Sequence, residues 1–226
     1  YAVRNMHKGN GEFMPSEDMA ISIRRITRDC SERIARQACE LAIKRRGRLS
    51  IVHKSNVLTM SDGFFVEVCK EVASDYKLEI EDYFVDAMAA LLVRKPSHFD
   101  VIVTTNLFGD ILSDLAAELT GGLGLGPSVN AGRGHAMAQA AHGAAPDIAG
   151  KNIANPTAMI LSAAMLLETL GVRQNRPEFL EASARIDKVV NQQLSDISTR
   201  TPDLGGPLST DSFGEQVAES IRSSDR

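Results

Sequence analysis

The chain has 226 residues, long enough to bury about 70% of its extended surface, so a substantial core is expected. With 43% hydrophobic and 24% charged residues, 17 Gly and 8 Pro, its composition is that of an ordinary globular protein, which excludes disordered, collagen-like and disulfide-scaffold classes. Lys plus Arg number 25 against 29 Asp plus Glu, a net charge of −4 that argues against general nucleic-acid or anionic-membrane binding.

In chain order, Met19, Ile21, Ile23 and Ile26 begin a period-two alternation over 19–28, which predicts a strand with one face buried. A helix follows, capped by Asp29 or Ser31, with an apolar stripe of Ile34, Ala35, Ala38, Leu41 and Ala42, and stopped by Gly47. Leu49 to His53 reads as a strand, and Ser61 to Tyr76 as a helix capped by Ser61 or Asp62. Ile80 to Val85 is extended, Asp86 to Lys95 a helix that Pro96 ends, and Asp100 to Thr105 a buried strand feeding a helix from Leu107 to Leu119. Strands alternating with helices predict an α/β protein with helices on a largely parallel sheet.

After Thr120 the run Gly121-Gly-Leu-Gly-Leu-Gly126-Pro127 breaks the helix, and Gly132, Gly134 and Gly143 predict a loop-rich stretch. A domain boundary is placed here, giving domains 1–120 and 121–226. Asn155 or Thr157 opens a helix ended by Gly171, a polar-faced helix covers Pro177 to Leu194, and a short amphipathic one covers Ser212 to Ile221. No unbroken apolar run approaches the ~18 residues of a membrane span, so a soluble chain with no membrane partner is expected. Cys30, Cys39 and Cys69 form no C-x-x-C pair and read as reduced, small apolar filler in a cytosol-like compartment. Tyr1 reads as the middle of a longer chain, so the lack of a leader segment says little.

Asp110 and Asp114, four apart near the start of a helix that follows a strand, share one helix face. Two such carboxylates suit a hard divalent cation; equally, they suit a solvated first turn whose acids favour the helix dipole. Lys54 stands at the corresponding place after the strand 49–53, followed by Ser55 and Asn56. The carboxyl ends of strands are where open α/β sheets collect ligands, and a partly desolvated lysine there can serve as a general base or remain a solvated strand end. Gly122-x-Gly124-x-Gly126 lacks the spacing and the preceding strand of a dinucleotide fingerprint. In His142-Gly-Ala-Ala-Pro-Asp147-Ile-Ala-Gly150, small residues admit close approach of a ligand and Asp147 can accept from a ribose diol, although an ordinary capped loop accounts for it as well.

Four stretches together, His53-Lys-Ser-Asn-Val-Leu58, Phe99 to Asp114, Gly121-Gly-Leu-Gly124 and His142 to Pro156, strongly resemble the metal-dependent β-decarboxylating dehydrogenases of isocitrate, isopropylmalate, homoisocitrate and tartrate. The resemblance runs the length of the chain. It implies an α/β fold of that family, with sheets flanked by helices and two domains whose N-terminal part is absent: residues 1–120 part of a smaller, dimerising domain, and 121–226 the C-terminal half of a large cofactor-binding domain. It implies oxidation of the C2 hydroxyl of a 3-substituted malate by a nicotinamide, loss of the β-carboxylate as CO2, and protonation of the enol.

By the same resemblance Asp110 and Asp114 hold Mg2+ or Mn2+ with Asp86, which reaches in from the partner subunit of a homodimer. Lys54 matches the base, also lent across the dimer, and Asn56 contacts substrate or nicotinamide. Tyr1, in a Tyr-x-x-x-Asn-Met run, falls where the family places the phenol that protonates the enol. His142, Gly143, Ala145 and Asn155 match the adenine-side loop, a carboxylate at Asp147 repels a 2′-phosphate, and Ile148 after it matches the NAD pattern, so NAD is expected over NADP. His53 and Ser61-Asp-Gly63 lean toward isocitrate and homoisocitrate, while Asp86-Ala-Met-Ala and the run 149–156 also suit isopropylmalate. The isopropylmalate type, the common bacterial NAD form, is placed first. A noncatalytic regulatory subunit is the alternative of another class, disfavoured because Lys54, Asp86, Asp110 and Asp114 are all intact.

Overall fold

In the computed structural model, residues 11–223 are described, and they divide into two compact units between Leu115 and Ala116. The first is organised around β3 (Arg48–His53), five of whose six residues are buried. It lies between β4 (Glu79–Phe84) and β5 (Val101–Thr104), parallel to both, with Leu49 opposite Ile80 on one side and Val101 on the other. Continuous burial along a central parallel strand means that both faces are covered. Leu49, Ile51, Val101 and Val103 point to one face, packing against α1 (Arg28–Lys44) and α2 (Ser61–Ala73). Val52 and Ile102 point to the other, with Met88 and Leu92 of α3 (Val85–Arg94) and Leu112 of α4 (Asn106–Thr120). The α/β fold with helices flanking a parallel sheet is as the sequence led us to expect.

Several local expectations fail for physical reasons. The alternating segment forms only the short β2 (Met19–Ser22), paired antiparallel with β1 (Glu12–Ser16), and every residue of β2 is exposed. Its apolar face, with Met19, Ile21 and Ile23 at 53%, 36% and 59% exposure, is bare in the single chain. Helix α1 is capped by Thr27, whose hydroxyl accepts from the Cys30 N–H, not by Asp29 or Ser31. It buries the small residues Ala35, Ala38, Cys39 and Ala42, a face that allows close approach to the sheet, while Ile34 and Leu41 remain exposed. Gly47 ends that turn as expected: at φ 75 it donates back to the Ala42 carbonyl. Neither Ser61 nor Asp62 caps α2, because Met60 occupies the cap and the Asp62 carboxylate is used elsewhere. Helix α3 begins one residue before the expected Asp86, which lies inside the first turn with Phe84 at the cap.

The second unit contains a hairpin, β6 (Pro127–Ala131) with β7 (Ala136–Ala140), in the stretch read as loop. Its strands are rich in Ala and hold a single β-branched residue, Val129, so they carry little strand signal; the Ser128 N–H is held by the Ser162 hydroxyl of α5 (Thr157–Gln174). Gly171 does not end α5. It is buried inside it, and a Cβ there would stand 2.7 Å from Leu180 Cδ2 of α6 (Pro177–Ser195), so glycine permits the two helices to touch. The helix ends instead at Asn175, left-handed at φ 52. Val189 and Val190 of α6 pack with Phe213 and Val217 of α7 (Thr210–Ser223) as this unit's core.

Among the described residues no helix is long and apolar enough to cross a membrane. All three cysteines are free thiols. Cys39 and Cys69 are buried filler as expected, burial pushing the Cys69 thiol up to about 12, whereas Cys30 is exposed.

Candidate active site

Lys54 follows the last residue of β3, and the chain turns on its carbonyl, which accepts from the N–H groups of Val57 and Leu58 at 3.0 and 2.8 Å. Its own N–H donates to Asp62 Oδ2 at 2.7 Å. Asp62 has no exposed surface, and its other oxygen accepts from Arg24 Nη1 at 2.6 Å. The second Arg24 nitrogen donates to the Thr105 hydroxyl at 2.5 Å, at the end of β5, and the guanidinium lies 5.0 Å from the Phe108 ring centre. One arginine fork thus joins the carboxyl ends of two neighbouring strands.

The Lys54 side chain, 23% exposed, donates from Nζ to Asp86 Oδ1 at 2.5 Å and lies 5.8 Å from the Phe84 ring centre. The Lys54 hydrogen bond, aided by the N–H groups at the start of α3, holds the Asp86 carboxyl below its ordinary range. His53, buried beneath, accepts the Ser55 N–H at Nδ1, which leaves the proton on Nε2, 3.3 Å from Asp82 Oδ2. Asp82 also meets Lys70 Nζ at 2.6 Å, and that contact leads in keeping its carboxyl low.

Asp110 and Asp114 are both exposed on α4, one turn apart. Thr105 accepts the Gly109 N–H at 2.8 Å, so the residue bonded to Arg24 also begins the helix that carries them. The donors fit a hard divalent cation in kind, being carboxylate oxygens open to solvent. One chain offers too few: among the described residues no group of three His, Cys, Asp or Glu converges. The chain therefore presents a Lys54–Asp86 pair and, separately, an Asp110–Asp114 pair. Asn56 is exposed in the turn after Lys54. Tyr1 lies outside the described residues.

In the second unit, residues 141–156 connect β7 to α5 as an exposed loop containing His142, Gly143, Ala145, Asp147, Ile148 and Asn155. His142 Nδ1 stands 2.9 Å from the Gly143 carbonyl. Ala145 takes φ 40, and its carbonyl accepts the Ile148 N–H, which turns the chain at Asp147 and leaves that side chain exposed. A short, outward-facing carboxylate on a loop of small residues fits a ribose diol, since it can accept from two hydroxyls at once. The loop is tied down at its far end. Asn155 donates to Asp203 Oδ2 at 3.0 Å and accepts the Thr157 N–H, and Asn152 exchanges hydrogen bonds with Asp211. Sequence reading missed Arg24, Thr105, Asp203 and Asp211, and saw Asp62 as a cap and as part of the Ser61-Asp-Gly63 run, not as the carboxylate that holds Lys54 and Arg24. The Arg24–Asp62, Arg24–Thr105, Asn155–Asp203 and Asn152–Asp211 bonds span 38 to 81 residues, beyond any local pattern.

A model of the isocitrate/isopropylmalate dehydrogenase family matches residues 1–217. The 3-isopropylmalate dehydrogenase of Archaeoglobus fulgidus is 50% identical over 204 residues, 89% of this chain and 60% of that protein. The isocitrate/homoisocitrate dehydrogenase of Thermus thermophilus is 51% identical over 208 residues, 91% of this chain and 60% of that protein. The crystal structure of isocitrate dehydrogenase from Methylococcus capsulatus superposes with a TM-score of 0.84 at 44% identity, covering 93% of this chain and 62% of that one. The chain thus spans about 60% of the length of the curated relatives it matches.

Proposed function

The chain belongs to the isocitrate/isopropylmalate dehydrogenase family, and from that footing we propose that the protein carrying it is an NAD-dependent, Mg2+- or Mn2+-requiring oxidative decarboxylase of a 3-substituted malate, foremost 3-isopropylmalate, acting as a homodimer. The observation that carries this reading is the division of the acidic groups. Lys54 and Asp86 travel together as a 2.5 Å pair, Asp110 and Asp114 make a second pair, and among the described residues no triad forms. Such a division suits a site completed by a second copy. Exposed apolar residues beside both pairs, Val57 and Met60 after Lys54 and Leu107 and Ile111 around Asp110, are what a covered surface would use.

In this reading Asp110 and Asp114 hold the ion with the partner subunit's Asp86. The partner's Lys54 takes the proton of the C2 hydroxyl at Nζ. Asp147 accepts from the adenosine ribose hydroxyls and repels a 2′-phosphate, His142, Gly143, Ala145, Ile148 and Asn155 shape the loop around adenine, and Asn56 contacts substrate or nicotinamide. Tyr1 supplies the proton to the enol carbon. When bound, the divalent ion stabilises negative charge at the C2 oxygen and the nicotinamide accepts the hydride. Three free thiols suit a reducing compartment such as the cytoplasm. The isocitrate and homoisocitrate alternative is supported by the relative of that name at 51% identity.

The test is NADH formation by the full-length protein with Mn2+ and a panel of 3-isopropylmalate, isocitrate, homoisocitrate and tartrate, followed by mixing two dead variants. Lys54→Met and Asp110→Asn are each expected to be inactive. In mixed dimers one site carries both lesions and the other neither, so random reassortment restores about a quarter of wild-type activity. No NADH with any substrate refutes the enzyme reading, and no recovery on mixing refutes the shared site.

A further inference from the structure

The Arg24 fork points to a function beyond local stability. Asp62, fully buried, holds the Lys54 backbone N–H with one oxygen and Arg24 with the other, and Arg24 reaches Thr105, on whose carbonyl the helix of Asp110 and Asp114 begins. We infer that Arg24, Asp62 and Thr105 are positioning residues that hold the proposed base in fixed register with the proposed metal-binding helix. The inference rests on the reading of Lys54, Asp110 and Asp114 given above. In a dimer of that kind each chain lends Lys54 and keeps Asp110 and Asp114, so the fork links the group serving one site to the groups serving the other.

Hydrogen-bond chemistry explains why an arginine is needed. The guanidinium is planar and rigid, so it can donate to Asp62 and Thr105 from two nitrogens at once; a lysine ammonium keeps the charge but not the fork. Asp62 accepts from both sides of the link, and no oxygen of its carboxylate is left over. Phe108 packs on the guanidinium at 5.0 Å, which restricts its direction.

The experiment compares Thr105→Val, a shape-conserving loss of one hydroxyl, with Arg24→Lys and the double variant, in the full-length protein. Each single variant is expected to remain a folded dimer and to lose about tenfold in kcat at saturating substrate, with KM for the nicotinamide unchanged. Both substitutions cut one link, so the double variant falls no further than the worse single. Backbone hydrogen exchange at Lys54 quickens in both, a readout independent of turnover. Wild-type kcat in folded Thr105→Val, losses that multiply in the double variant, or unchanged exchange at Lys54 each overturn the inference. A wild-type protein that makes no NADH overturns instead the reading on which it rests.

Discussion

Asp62→Ala removes a side chain with no exposed surface and two charged or polar partners, and its cost can be built from the contacts. The Lys54 N–H loses its carboxylate acceptor, about 1–3 kcal/mol for an orphaned donor in a partly buried turn. Arg24 loses its carboxylate. A fully buried pair broken on one side costs about 3–5 kcal/mol, but the Arg24 side chain is 28% exposed and water can take over part of its hydration, so about 1–2 kcal/mol is the appropriate share. The sum is about 3 kcal/mol, which lowers Tm by about 6–12 °C in a chain of this size. Asp62→Asn keeps an oxygen for the Lys54 N–H and should lose about half as much. Urea unfolding followed by circular dichroism, with m unchanged, measures both. A cost for Asp62→Ala below about 0.5 kcal/mol, within the ordinary range of surface substitutions, would refute the reasoning that the carboxylate is an anchor.

Two other expectations concern stability. Gly171→Ala gains about 1 kcal/mol of helix propensity but places a methyl 2.7 Å from Leu180 Cδ2 and 3.1 Å from the Arg176 carbonyl, a clash worth about 1–3 kcal/mol. A net loss of about 1 kcal/mol, seen as a lower Tm by calorimetry, is expected, and a higher Tm would contradict it. The Asp100 side chain is almost fully buried. Desolvation pushes its carboxyl upward, yet the Arg45 side chain and the Arg46 N–H outweigh this and hold it below the ordinary range. Because the folded pKa is depressed, this stabilisation is present in full above the unfolded value near pH ~4 and is lost as pH falls through the folded one. Asp100→Asn is therefore expected to cost about 1 kcal/mol at pH 7, a gap that closes below about pH 4 in urea titrations. A constant gap down to pH 3 would rule out that linkage.

What the sequence disclosed follows from how far each signal extends. The strand at Leu49, the helix with Phe65, Val68 and Val72, and the strand at Val101 bury whole apolar faces, so their periodicity stood out. The strands at Pro127 and Ala136 are alanine-rich and owe their order to the helix they lie on, which no local pattern records. Gly171 was misjudged because a glycine that ends a helix and one that admits a neighbouring helix look alike until Leu180 is known to face it. The acidic pair Asp110 and Asp114 was visible by its spacing, but the roles assigned to it and to Lys54 came from resemblance. Arg24 and Thr105 carried no mark at all, since a hydrogen bond across 81 residues has no signature in either neighbourhood.

The middle strand of the first unit, finally, answers to two masters. Leu49 and Ile51 are gripped by one helical layer and Val52 by the other. Neither layer can repack by sliding the strand, because the opposite layer would lose its fit at the same stroke. A substitution within either helix pair is therefore expected to leave the lysine at the strand's tip in place, and a change that relocates that amine enters through the turn beyond it or through its aspartate tether.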